Sequence, residues 1–68
     1  MQTSARNQLR GTVKSVTIGA VMAEVVVDVN GIDLVAAITK DSAERLALAS
    51  GKAAVAIIKA TDVMIGID

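Results

Sequence analysis

The chain has 68 residues with seven basic and seven acidic side chains, and 53% of it is apolar although it contains no Phe, Tyr, Trp, Cys, His or Pro. Without Cys or His there is no structural zinc site, no haem or iron–sulfur ligation, no disulfide framework and no Ser-His-Asp or Cys-His catalysis. Zero net charge and the lack of stacking rings count against nucleic acid as a partner.

Length allows one domain, residues 1–68, which at this size buries only roughly 60% of the surface exposed on unfolding. Domains this small usually add disulfides, a metal or oligomerisation. The first two have no ligands here, so burial against further copies of the same chain is expected. The longest apolar runs, Leu34–Ile38 and Ala53–Ile58, fall far short of the ~20 residues that span a bilayer, so no membrane partner is expected. The N-terminal Met-Gln-Thr-Ser-Ala-Arg-Asn-Gln lacks the apolar region of a signal peptide. The expected location is the cytoplasm.

Five short strands and one helix are predicted. Leu9–Ile18 is rich in β-branched residues, which favour a half-buried pleated surface. Its apolar face changes between Val13 and Val16, the mark of a bulge or strong coiling. Gly19-Ala20 then reads as a hairpin connection. Val21–Val29 alternates cleanly, with Ala23, Val25, Val27 and Val29 on one face. Asn30-Gly31 follows, the dipeptide of a type I′ hairpin turn. In the third strand, Ile32–Thr39, one face carries Ile32, Leu34, Ala36 and Ile38. The other begins with Asp33 and turns apolar at Val35 and Ala37, as expected where a neighbouring subunit covers it.

The predicted helix is Asp41–Leu48, with Asp41 and Glu44 at capping-box spacing or Ser42 as the cap. Ala43, Leu46 and Ala47 share its apolar face, and Gly51 stands where a helix or turn ends with positive φ. Lys52–Thr61 is a fourth strand, apolar on both sides. Val63–Ile67 is a fifth, pairing along an edge or continuing the fourth around a bend. Met22 and Met64 read as core filler. Three strands, a short helix and two strands form the element order of an all-β, five-stranded OB-like Greek-key barrel, closed to remove exposed edges.

Polar donors gather in three clusters: Thr3-Ser4-Ala5-Arg6-Asn7, Thr39-Lys40-Asp41-Ser42, and Lys59-Ala60-Thr61-Asp62. Each joins cations or hydroxyls to small residues that leave main-chain N–H groups approachable, a combination that favours an anion. Each also has a plain structural reading. The first is a polar terminal arm, Thr39 and Ser42 are capping residues, and Lys59 is a lysine reaching solvent at a strand end. The carboxylates Asp28, Asp33 and Asp62 have no partner at acid/base spacing.

Ser4-Ala5-Arg6-Asn7-Gln8-Leu9 followed by Gly11 resembles the opening signature of the Mop family, the small molybdate-binding molbindins with a TOBE/Mop domain. Ala36-Ala37-Ile38-Thr39 with Ser42, and Lys59-Ala60-Thr61-Asp62-Val63-Met64, resemble that family's second and closing motifs, in order and spacing, so the likeness covers essentially the whole chain. The resemblance implies an OB-like barrel assembled as a homohexamer, a trimer of dimers, holding molybdate or tungstate at subunit interfaces. It implies contacts from Ser4, Ala5 and Arg6 of one chain, partly through main-chain N–H groups, and from Thr39, Ser42, Lys59 and Ala60 of the same or a neighbouring chain. Asn7 is expected to orient the first loop. Ala60 stands where some relatives have Ser, leaving only its N–H. A second class of site near a symmetry axis is also implied.

Molybdate is a tetrahedral dianion that needs many donors, some positive charge and no aromatic platform. A symmetric interface doubles each group it contains, so two copies of Lys59 meeting at a twofold would match its charge. The resulting expectation is an intracellular oxyanion store without catalysis, in which ligand and assembly stabilise each other. The alternatives are an OB-type nucleic-acid binder and a purely structural oligomerisation module. A molybdenum–pterin ligand is a further variant, for which no aromatic residue is present to stack.

Overall fold

The computed structural model describes all residues, 1–68, in the element order β1 (Asn7–Ile18), β2 (Met22–Val29), β3 (Ile32–Thr39), α1 (Lys40–Arg45) and β4 (Ala53–Ile58), then one 3-10 turn over Ala60–Asp62. The strands form one antiparallel sheet in the order β3-β2-β1-β4. The long strand β1 is shared between two neighbours. Its first half, Asn7–Thr12, pairs with β4, and its second half, Thr12–Ile18, pairs with β2.

The bulge predicted between Val13 and Val16 lies between Val13 and Ser15, where the register of β1 on β2 shifts. The extra residue, Lys14, sends its ammonium to the Asp33 carboxylate at 3.0 Å, while Val13 is buried. Gly11 serves the same coiling. A Cβ there would collide with the Asp28 carbonyl oxygen and lie 2.9 Å from Val27 Cγ1, so only glycine lets β1 pass this close to β2. Asn30 and Gly31 turn the next hairpin with φ of 51° and 86°, both left-handed as a type I′ turn requires.

The alternation of β2 sets the core. Ala23, Val25 and Val27 are buried, and Val13, Val25 and Val27 form a cluster against which Val16, Val29, Ile38, Leu48 and Ala54 pack. Only five of the 68 residues are buried, and the accessible surface is 5350 Å². A folded monomer of 6.9 kDa should expose about 4,000 Å². The excess is apolar: Val35 on the outward face of β3 is exposed, and beyond β4 Met64, Ile65 and Ile67 are 92%, 88% and 96% exposed.

Several expectations need correction. The sheet has four strands, not five, and is open rather than closed into a barrel. Val63–Ile67 makes no ladder, because the outer edges of β3 and β4 receive no strand from the same chain. Met64 is accordingly not core filler. The fourth strand stops at Ile58, and the 3-10 turn takes Ala60–Asp62.

The helix is shorter than predicted, and of the capping residues read from the sequence Thr39 is the one used. It starts at Lys40 because Thr39, with extended φ −72° and ψ 150°, accepts the Ser42 N–H on its side chain. The cap is therefore Thr39 rather than Asp41 or Ser42. The helix ends at Arg45, with Leu46 as its C-cap, because Ala47 turns left-handed, with φ 52°. The Ala47 N–H donates to Glu44 O and the Leu48 N–H to Ala43 O, the paired bonds of a Schellman ending. Lys52 Nζ closes this end by donating to the Leu46 carbonyl at 2.6 Å, a cation where the helix dipole favours one. Gly51 has the positive φ expected of it, 91°, but in the turn into β4. Ala43 of the predicted apolar helix face is buried, whereas Leu46 is exposed.

Candidate functional site

The ladder between β1 and β4 brings two of the three polar clusters together. Asn7 is the first residue of β1 and pairs with Ile58, the last residue of β4. Arg6 directly precedes Asn7 and Lys59 directly follows Ile58, so both flank this end of the ladder. Asn7 Nδ2 also donates to the Ile58 carbonyl at 3.2 Å. The Asn7 side chain thus ties the start of β1 to the peptide that leads into Lys59.

The donors in this region are poorly compensated. The ion pairs in the chain are Lys14 with Asp33 and Lys40 with Glu44, so the ammonium of Lys59 and the guanidinium of Arg6 have no carboxylate within pairing distance. Two cations flanking one ladder end without a counter-charge raise the local potential for an anion. Ala60 opens the 3-10 turn, and its N–H makes no main-chain bond, while the Asp62 N–H donates back to Lys59 O at 2.9 Å. Start-of-helix amides are ordinarily left over in this way.

Within the arm the amides are not alike. The Ala5 N–H donates to Thr3 Oγ1 at 3.2 Å, and Gln8 Nε2 donates to the Ala5 carbonyl at 2.8 Å. The Arg6 N–H has no partner within the chain. Thr3 and Gln8 are not among the predicted site residues. A polar side chain satisfying a neighbour two or three positions away leaves no periodic or charge signal, so only the local geometry finds these bonds.

The third cluster lies elsewhere. Thr39 pairs with Met22 at the far end of the β2–β3 ladder, where β1 reaches Ile18. The 12 residues of β1 separate the two regions along the strand. The topology therefore puts Ser4, Ala5, Arg6, Asn7, Lys59 and Ala60 at one end of the β1 ladders and Thr39 and Ser42 at the other. At that second end the Thr39 hydroxyl donates to Ser42 Oγ at 2.8 Å, which leaves the Ser42 hydroxyl hydrogen free to point outward.

The class of protein that emerges is a small β domain with uncompensated cations and main-chain donors at one end, hydroxyl donors at the other, and a large unburied apolar surface. The model of the TOBE domain matches residues 3–65. "Molybdenum-pterin-binding protein 3" of Clostridium pasteurianum is 50% identical over 96% of this chain and 97% of its own length. The "Probable molybdenum-pterin-binding protein" of Haemophilus influenzae is 44% identical, with both chains fully covered. Among solved structures, a molybdate-binding protein from Sporomusa ovata superposes with a TM-score of 0.94 at 45% identity over 98% of this chain and 100% of that one. MopII from Clostridium pasteurianum gives 0.91 at 42% identity, over 97% and 100%. The chain belongs to the TOBE domain family, among the small molybdenum-pterin-binding, or Mop, proteins.

Proposed function

We propose that this protein binds molybdate, or the similar tungstate, at sites shared between copies of itself, and that it stores or buffers the anion in the cytoplasm without catalysis. The observation that carries this reading is that Arg6 and Lys59, which directly precede Asn7 and follow Ile58 at the end of the β1–β4 ladder, are both without a carboxylate partner. Together they match the two negative charges of the anion, so two copies of Lys59 need not meet. Ser4, the Arg6 and Ala60 amides and the Lys59 ammonium supply donors from one copy, and Ser42, backed by Thr39, supplies a hydroxyl from another. Ala5 contributes through its N–H once Thr3 releases it. Bonds to a charged acceptor are roughly twice as strong as neutral ones, so a few such contacts suffice.

The same reading accounts for the apolar surface. Val63–Ile67 forms the fifth strand when it adds to the open sheet edge of another copy. That pairing completes an OB-like five-stranded barrel and buries Met64, Ile65 and Ile67. A homohexamer, a trimer of dimers, repeats the contact in closed symmetry, as small oligomers generally do. The names of the relatives favour a second ligand, a molybdenum–pterin. The absence of any Phe, Tyr or Trp leaves a pterin ring without a stacking partner and favours the bare oxyanion.

Calorimetric titration with molybdate, tungstate and sulfate, with light scattering before and after, tests the proposal. Saturable uptake of the two larger oxyanions by an oligomer is expected, with sulfate competing poorly. A lone 6.9 kDa particle that takes up neither would overturn it.

A further inference from the structure

We infer that Gln8 is a positioning residue that aims the Arg6 amide at the bound anion. The inference rests on the reading that the Ser4–Arg6 arm meets an oxyanion. A trans peptide is planar, with its C=O and N–H pointing in opposite directions. Gln8 Nε2 holds the Ala5 carbonyl at 2.8 Å, so it also sets the direction of the Arg6 N–H on the same peptide. That N–H has no partner within the chain, whereas the preceding amide is occupied by Thr3 Oγ1 at 3.2 Å.

The arrangement solves a problem that any main-chain anion site faces. Each peptide carries one acceptor for every donor, and a carbonyl turned toward the anion repels it. Binding the Ala5 carbonyl to a side-chain amide keeps that oxygen turned back toward the strand. Gln8 is suited to this role because it lies within β1, where its backbone is held opposite Ile57, while its side chain is exposed. It is therefore a rigidly based donor that contributes nothing to the core. The arm preceding Asn7 belongs to no ladder, so without Gln8 the Ala5–Arg6 peptide would be free to turn over.

The test replaces Gln8 with a side chain of similar length that has no N–H, Gln8→Met, and measures three quantities on the full chain. Molybdate affinity by calorimetry should fall about ten-fold. The melting temperature without anion should stay within a degree or two, since an exposed side chain is lost. In ¹⁵N-resolved NMR spectra the Arg6 amide should shift on molybdate addition in the original protein and shift much less in Gln8→Met. The same affinity loss should persist in an Arg6→Ala background, where the amide remains but the guanidinium is gone. Equal affinity and an equal Arg6 amide shift in Gln8→Met would overturn the inference, as would a loss that vanishes in the Arg6→Ala background. Failure of the original protein to bind molybdate would instead overturn the proposed function on which the inference stands.

Discussion

The side-chain amide of Asn7 donates to the carbonyl of Ile58 at 3.2 Å, and the same two residues form the last backbone pair of the β1–β4 ladder. A single residue therefore fastens the start of β1, from which the arm leaves, to the strand end that leads into Lys59. Asn7→Ala leaves the Ile58 carbonyl without that donor in a half-buried position. It should cost about 1 kcal/mol of stability and weaken molybdate binding several-fold, because the spacing of Arg6 and Lys59 is no longer held. Chemical denaturation and calorimetry on the same sample check both effects, and an unchanged affinity would remove Asn7 from the site.

Lys59 has no counter-charge within its own chain and is exposed. Lys59→Ala should leave the fold intact, as judged by circular dichroism, while affinity for molybdate drops by at least ten-fold. The dependence of binding on ionic strength should also become shallower, since one charged contact is gone. Equal affinity for the two proteins would refute the role.

Thr39 and Ser42 divide two tasks between them. Thr39 caps α1 through the Ser42 N–H and also donates its hydroxyl to Ser42 Oγ. Thr39→Ala should therefore destabilise the protein by about 1 kcal/mol and also weaken binding. Ser42→Ala keeps the cap and should lose only the anion contact, ~1.5–3 kcal/mol for a hydrogen bond to a charged group. A comparison of melting temperatures without anion separates the two. Equal stability losses would contradict the assignment of the cap to Thr39 alone.

Ala47 holds φ 52° at the C-terminal end of α1, a conformation that costs an ordinary L-residue about 1–2 kcal/mol. Ala47→Gly removes most of that strain and should raise stability by about 0.5–1 kcal/mol, with molybdate affinity unchanged. The comparison requires equal protomer concentration, since assembly contributes to the measured stability.

Much of the fold was legible because it is decided locally. The alternation of Ala23, Val25 and Val27 marked the buried face of β2, Asn30-Gly31 marked its hairpin, and the spacing of Val13 and Val16 marked the bulge. The helix boundaries were not legible in the same way. Thr39 was legible as a capping residue but not as the one that starts the helix, and Ala47 reverses the chain with a residue type that carries no turn signal. The fifth strand was misplaced for a different reason: an apolar run states that it wants a partner but not which chain supplies it. The three polar clusters stood out because the rest of the chain is so apolar. Their placement did not, because which clusters share an end of the sheet depends on the order β3-β2-β1-β4. The bonds from Thr3 and Gln8 were invisible for want of any pattern longer than a few residues.

Because the arm and Lys59 lie at one end of the β1 ladders and Thr39 and Ser42 at the other, the proposed site draws on two copies. Mixing two defective variants tests this most directly. Lys59→Ala and the double variant Thr39→Ala/Ser42→Ala are each unfolded, combined in equal amounts and refolded together, and tight molybdate sites are then counted by calorimetry. Each variant alone should show none at micromolar anion. The mixture should recover about a quarter of the original number, the share in which random assembly brings an intact half from each variant together. No recovery in a mixture shown by mass spectrometry to contain hybrid oligomers would mean that the site is not shared between subunits.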